Sequence, residues 1–329
     1  MKVAIIGYGY WGRNVLLAVL KSDFFELACV FDEDYSQIQA AKQIYDFQEY
    51  SSFEAILKDR TIEAVMIITP PQTHFSLAKQ ALEAHKHTFV EKPLSTSLQE
   101  CQILYDLAHQ QHCILHCDHI FLYSPAVQWL KAHLQDFGEI IYLQARRINL
   151  GLFQTNVDVI WDLAIHDLAI LDYLFGLEII SHHTLRTHYR HFCALADIHL
   201  ELKNPNANQN TNNTHINANI NVSWLSPIKV RELIIGGEKK TAIYDETKKD
   251  KITLFDCGIV ISEEFEKDNL YKKMVQYYLG DITYPSLDSR APLENSIQKF
   301  QDQITTDSID IALQNHTLRV IKGLEIISY

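Results

Sequence analysis

The sequence predicts an α/β domain built on a doubly wound parallel sheet, followed by an α+β domain with a large open, mainly antiparallel sheet. Two observations carry this. Over residues 1–120 short apolar runs alternate with helical stretches, the pattern of βαβ units. Over residues 121–329 a helical segment gives way to strands of alternating apolar and polar residues, as in a sheet with one solvated face. A chain of 329 residues is long enough for two cores, divided here at 120/121.

The first apolar run, residues 2–6, reads as a buried strand and passes directly into Gly7-Tyr8-Gly9-Tyr10-Trp11-Gly12. Residues 14–20 then read as helix. Strand, G-x-G-x-x-G and helix in that order form the dinucleotide fingerprint. Gly7 permits the tight turn, Gly9 lets backbone approach a pyrophosphate, and Gly12 brings helix and strand together. The helix start adds free N–H groups and a partial positive charge. A second run, residues 26–31, ends in Asp32, about 20 residues past the last glycine, where an acid meets the ribose hydroxyls. Asp32 would repel the extra phosphate of NADP, and neither Arg nor Lys adjoins Glu33 and Asp34. The expected cofactor is therefore NAD rather than NADP.

Composition narrows the partners. Hydrophobic residues make up 47% and charged residues 21%, ordinary for a globular protein. A net charge of −12 argues against nucleic acid or an anionic membrane as partner. There is neither an apolar run of about 18 residues nor a signal-like leader, so the expected compartment is the cytoplasm. The six cysteines are scattered, without a C-x-x-C pair. His112, Cys113, His116, Cys117, Asp118 and His119 cluster, but a strand turns them to opposite faces, and no metal is expected.

The remaining strand ends of the first domain hold further candidates. Residues 64–69 read as a buried strand ending in Thr69-Pro70-Pro71-Gln72-Thr73-His74, which should line the cofactor, since ligands bind beyond the carboxyl ends of such strands. Residues 75–85 are expected to be helical. The strand over 88–90 ends in Glu91-Lys92-Pro93. A charged pair there also fits a surface turn, but its place at a strand end lets Lys92 reach a substrate.

In the second domain residues 161–175 read as an apolar helix that carries Asp162 and His166 at i and i+4 on one face. A histidine titrating near neutrality suits the removal of a hydroxyl proton. Taken alone, the pair fits better as a helix cap and a satisfied core histidine. Between the domains, His119 and Asn149 are candidate substrate contacts, while Arg146 and Arg147 read as solvated strand positions. His182, His183, His188 and His191 read as strand-surface residues, and the asparagine-rich stretch 204–213 as a hairpin tip.

Residues 7–12, the Thr69 to His74 loop and Glu91-Lys92-Pro93 together resemble the glucose–fructose oxidoreductase and inositol dehydrogenase family of NAD(P)-dependent sugar oxidoreductases. Asp162 and His166 match the Asp-x-x-x-His element of that family's second domain, so the resemblance spans essentially the whole chain. It implies that Gly7, Tyr8, Gly9, Tyr10, Trp11, Gly12, Asp32, Thr69, Pro70, Pro71, His74, Glu91 and Lys92 serve the cofactor. It also implies that Lys92 and His166 flank the reacting carbinol, with Asp162 beside them, and that the open sheet makes a homodimer or homotetramer. Ser223-Trp224-Leu225-Ser226-Pro227 and Trp161-Asp162-Leu163-Ala164-Ile165-His166-Asp167 are similar to the branch that includes UDP-N-acetylglucosamine 3-dehydrogenase-like enzymes.

The resemblance thus implies oxidation of a secondary hydroxyl, at C3, of a nucleotide-linked sugar, feeding amino-sugar and surface-polysaccharide synthesis. A free sugar or inositol-type polyol, reduction of a ketosugar, and a non-catalytic NAD-binding regulator stand as alternatives. A regulator would need only the glycine loop and Asp32, not Lys92, Asp162 and His166 as well.

Overall fold

The computed structural model describes residues 1–151, 153, 157–205, 214–260 and 276–328. They divide into two compact units. The first comprises Met1–Ser124 and Arg290–Ile326, the second Pro125–Ser289 with Ile327–Tyr329. The boundary in the first pass thus falls at 124, and a C-terminal segment returns to the N-terminal unit.

In the first unit β1 (Lys2–Ile6), α1 (Tyr10–Leu20), β2 (Glu26–Phe31), α2 (Tyr35–Lys42), α3 (Phe53–Lys58), β3 (Ile62–Ile67), α4 (Pro71–Glu83), β4 (His87–Glu91), α5 (Leu98–Gln110) and β5 (Leu115–Asp118) follow one another. All five strands are parallel, in the order β2-β1-β3-β4-β5. The central strands β1 and β3 are almost wholly buried, which is why they read as continuous apolar runs rather than alternating ones. Because the strands are parallel, their carboxyl ends, with Gly7, Asp32, Thr69, Lys92 and His119 just beyond them, all lie at one edge of the sheet.

The second unit opens with α6 (Pro125–Ala132) and β6 (Ile140–Leu150). A π-helical turn, Ile160–Ala164, leads into α7 (Ile165–Phe175). The strands β7 (Ile179–Tyr189), β8 (Phe192–Lys203), β9 (His215–Ser223), β10 (Leu225–Gly237), β11 (Thr241–Asp245), β12 (Ile252–Val260) and β13 (Gln276–Thr283) complete it. They form an eight-stranded sheet in the order β13-β12-β11-β10-β6-β9-β8-β7. It is antiparallel except where β6 runs parallel to β9. The chain between that pair includes α7 and the β7–β8 hairpin, the long crossover that parallel neighbours require. Most of the stretch 204–213 lies outside the described residues. The histidines His182, His183, His188 and His191 are exposed on or beside the edge strand β7.

Two helices close the chain, α8 (Pro292–Thr305) and α9 (Ile311–Ser328), and α8 packs on α1 in the first unit. Among the described residues no helix is long and apolar enough to cross a membrane, and no cluster of three acidic, histidine or cysteine side chains could hold a metal ion.

Candidate active site

Two glycines of the loop have a distinct steric reason. Gly7 sits at φ +96°, and a Cβ there would lie 2.6 Å from the Ile68 carbonyl oxygen. At Gly12 a Cβ would lie 2.1 Å from the Gly7 carbonyl oxygen, so the start of α1 can approach the loop only with hydrogen at that position. Beyond Gly9, in contrast, there is open space, and no side chain caps α1. Uncapped first-turn N–H groups facing open space suit a pyrophosphate, so these residues fit a dinucleotide.

Asp32 is fastened from two sides. Its Oδ2 accepts the Tyr8 N–H at 2.7 Å and its Oδ1 accepts the Asp34 N–H at 2.9 Å. Each oxygen keeps a second lone pair for a ribose hydroxyl. Tyr8 is buried, whereas Tyr10 is 87% exposed. Arg13 also reaches this corner. Its guanidinium lies 5.4 Å from the Tyr8 ring centroid and donates to Gln37 Oε1 at 3.1 Å. The residues beside Asp32 carry no sign of it, because Arg13 and Gln37 are 24 positions apart.

The loop after β3 begins its helix earlier than expected. Pro71 is the first residue of α4, and Thr73 N–H donates to the Pro70 carbonyl at 3.0 Å. Proline at a helix start gives up no hydrogen bond, so the proline pair is a helix entry. His74, expected to line the cofactor, is fully buried instead. Its Nδ1 contacts the Pro93 carbonyl and its Nε2 the Thr69 carbonyl, both at 2.7 Å. His74 therefore ties the Thr69 loop to the residue after Lys92. Burial holds its pKa below the ordinary histidine value, against the pull of the two carbonyls.

Beyond β4, Lys92 is half-buried and the Lys92–Pro93 peptide is cis. Glu91 lies opposite Asp118, the last residue of β5. Burial raises both carboxyls, Glu91 well above the usual range and Asp118 up to about 7. His119, expected to touch substrate, is buried and packs edge-on against His316 of α9 at 5.0 Å. Its ring faces the interior of the first unit, which follows from the return of the C-terminal helices.

In the second unit, Asp158 caps the turn that carries the candidate pair, with Oδ1 accepting N–H groups of Ile160 and Trp161 at 3.0 Å each. Asp162 is thus not the helix cap. It stands inside the π-helical turn, a geometry frequent at functional sites, and its Oδ2 accepts the Trp224 indole N–H at 2.9 Å. Trp224 is itself 1% exposed. Asp162 and His166 are both half-buried, whereas their neighbours Leu163, Ala164, Ile165 and Asp167 are buried.

Arg147 corrects the sequence expectation of a solvated position. It is buried and grips Asp167, with Nε 3.1 Å from Oδ2 and Nη2 3.0 Å from Oδ1. Its Nη1 donates to Glu246 Oε2 at 3.3 Å, and Arg231 donates to the same carboxylate. A guanidinium can be buried here because a bidentate carboxylate answers it. Strand β6 is thereby clamped to α7 at the residue after His166. Asn149 lies near the end of β6 with its amide beside Gly151.

Fold and site define a class. Residues 1–119 match the model of the oxidoreductase family with an NAD-binding Rossmann fold. The chain is similar to UDP-N-acetylglucosamine 3-dehydrogenase of Acidithiobacillus ferrooxidans, at 34% identity over 181 residues, covering 54% of this chain and 55% of the relative. It is 29% identical over 195 residues to the NAD-dependent scyllo-inositol 2-dehydrogenase of Bacillus subtilis, covering 55% and 56%. The matches therefore span about half the length of these curated relatives. In three dimensions the likeness is longer. The solved structure of the Acidithiobacillus ferrooxidans UDP-N-acetylglucosamine 3-dehydrogenase aligns with a TM-score of 0.79 at 25% identity, covering 99% of this chain and 96% of that one.

Proposed function

We propose that the chain is an NAD-dependent dehydrogenase that oxidises the C3 hydroxyl of a nucleotide-linked sugar such as UDP-N-acetylglucosamine. The observation that carries this reading is Asp162, set inside the π-helical turn by Trp224 one turn before His166. A binding module has no need of such a fixture. The likeness to the Acidithiobacillus ferrooxidans enzyme supports the choice of sugar.

Oxidation of an alcohol removes a hydride from carbon and a proton from oxygen. Bound NAD supplies the hydride acceptor. His166 takes the hydroxyl proton, and Asp162 orients it or binds an adjacent hydroxyl. The Lys92 ammonium donates to the reacting oxygen and stabilises the negative charge that develops there. Asp32 accepts from the adenosine ribose, which favours NAD over NADP.

The test is NADH formation from UDP-N-acetylglucosamine in the wild type and in Lys92→Ala, with α-ketoglutarate present to reoxidise tightly held NADH. Turnover should fall at least ~10²-fold in the variant, and UDP should compete with the substrate. NAD binding without turnover on the nucleotide sugar, or indifference to UDP, would sink the nucleotide-sugar reading and point to a free sugar or polyol.

A further inference from the structure

β4 and β5 end side by side in two acids that the proposed chemistry leaves unused. Glu91 and Asp118 are direct partners in the parallel register, and Oε2 of Glu91 and Oδ2 of Asp118 are buried without a hydrogen-bond partner among the described residues. Asp118 is 0% exposed, and Oε2 of Glu91 is shielded from solvent. Two ionised carboxylates are acceptors only, so these neighbouring oxygens can answer each other only with a proton on one of them. Burial also penalises a second negative charge at this spot.

Few charged or titratable groups face the pair. Lys92 adjoins Glu91 in the chain and draws both carboxyls back toward ionisation. Cys117 precedes Asp118, and burial pushes its thiol far up, so it stays neutral. From α8, Ser296 Oγ donates to Asp118 Oδ1 at 2.7 Å. Behind Ser296, 3.1 Å from its hydroxyl, stands His116, which burial lowers to about 4 and so leaves neutral. Lys92 is thus the cation among these neighbours, and one negative charge on the pair balances it.

We propose that Glu91 and Asp118 hold one proton between them and that this singly ionised pair positions the Lys92 ammonium. The consequence for catalysis rests on the reading of Lys92 given above; the sharing of the proton does not. As pH rises past about 7 Asp118 ionises while the proton stays with Glu91, whose carboxyl is raised further by burial and by the Asp118 charge. The pair thus gains its single negative charge through this range, and the support behind Lys92 changes with it.

Infrared spectroscopy of the full chain tests the pair without any substrate, so failure of the sugar assignment and failure of this proposal are distinguishable. On the acid side of neutrality the wild type should show the C=O band of a protonated carboxyl. The band should be lost in Asp118→Asn and in Glu91→Gln, because each variant leaves one carboxylate facing an amide donor. In Ser296→Ala, a milder change, its titration should move to higher pH, since Asp118 loses a donor to its ionised form. With the lysines reductively methylated in carbon-13, the Lys92 resonance should step at the same midpoint as the band, and that step should vanish in Asp118→Asn. Absence of the band from the wild type, or its survival in both amide variants, would overturn the shared proton. A Lys92 resonance that ignores the pair's titration would overturn the positioning.

Discussion

At Asp32 one side chain has two tasks that a substitution can separate. Its carboxylate faces the ribose side of the proposed cofactor and also receives the Tyr8 and Asp34 N–H groups. Asp32→Ala removes both charge-assisted bonds, and NAD affinity should fall by about 10–100-fold. NADP affinity should fall less, because the repulsion of its extra phosphate is also removed, and Arg13 stands at this corner. Titration with both cofactors decides the matter, since equal losses would leave Asp32 only its structural task. Gly12 is simpler. A methyl group 2.1 Å from a backbone oxygen cannot be relieved by a rotamer change. Gly12→Ala should therefore destabilise the protein by roughly 1–3 kcal/mol or more, read by chemical denaturation, with loss of dinucleotide binding.

At the scale of elements, the decisive contact is the clamp between β6 and α7. Arg147 and Asp167 are each about 2% exposed at the side chain. Removing one partner leaves a buried charge unanswered, so Arg147→Met should cost about 3–5 kcal/mol. Arg147→Met combined with Asp167→Leu should cost less than the single change, because no charge is then stranded. Thermal or urea unfolding of the three proteins gives the comparison. A double variant weaker than the sum of two independent losses would mean that the clamp acts through packing alone. Asp162 and His166 both precede Asp167 of this clamp, so the element carrying the proposed base is held through its neighbour as well as through Trp224.

Across the molecule, stability should depend on pH through groups buried in the first unit. His116 is neutral when folded, since burial lowers it to about 4 from an ordinary histidine value. The unfolded chain therefore binds more protons below about pH 6.5, and stability falls as pH drops from there toward 4. The slope from this one residue is at most ~1.4 kcal/mol per pH unit. Asp118 works in the opposite sense. Its folded carboxyl is raised to about 7, so its contribution is present below the unfolded carboxylate range and is lost as pH climbs through 7. Urea unfolding across this range should show a shallower acid-side loss in His116→Gln than in the wild type, because the buried His74 keeps its own share. An identical acid limb in both would remove His116 from the account.

What the sequence by itself determined is the local and periodic part of this protein. The strand, the glycine turn and the helix at residues 2–20 lie within a single stretch of chain, and Gly7 and Gly12 each have a steric cause there. Parallel strands buried on both faces announce themselves as apolar runs. Asp32, Lys92, Asp162 and His166 stood out because their positions at strand ends or on an apolar helix are local facts. Tertiary structure alone decided which polar groups are answered inside. Arg147 read as solvated because its partners, Asp167 and Glu246, lie 20 and 99 residues away. His74 and His119 looked like site residues until the Pro93 carbonyl and the returning helix α9 enclosed them. Asp118 looked like part of a metal-like cluster until register placed it against Glu91. Burying a charge or an imidazole depends on partners that the fold brings from far along the chain, and spacing within one segment carries no record of them.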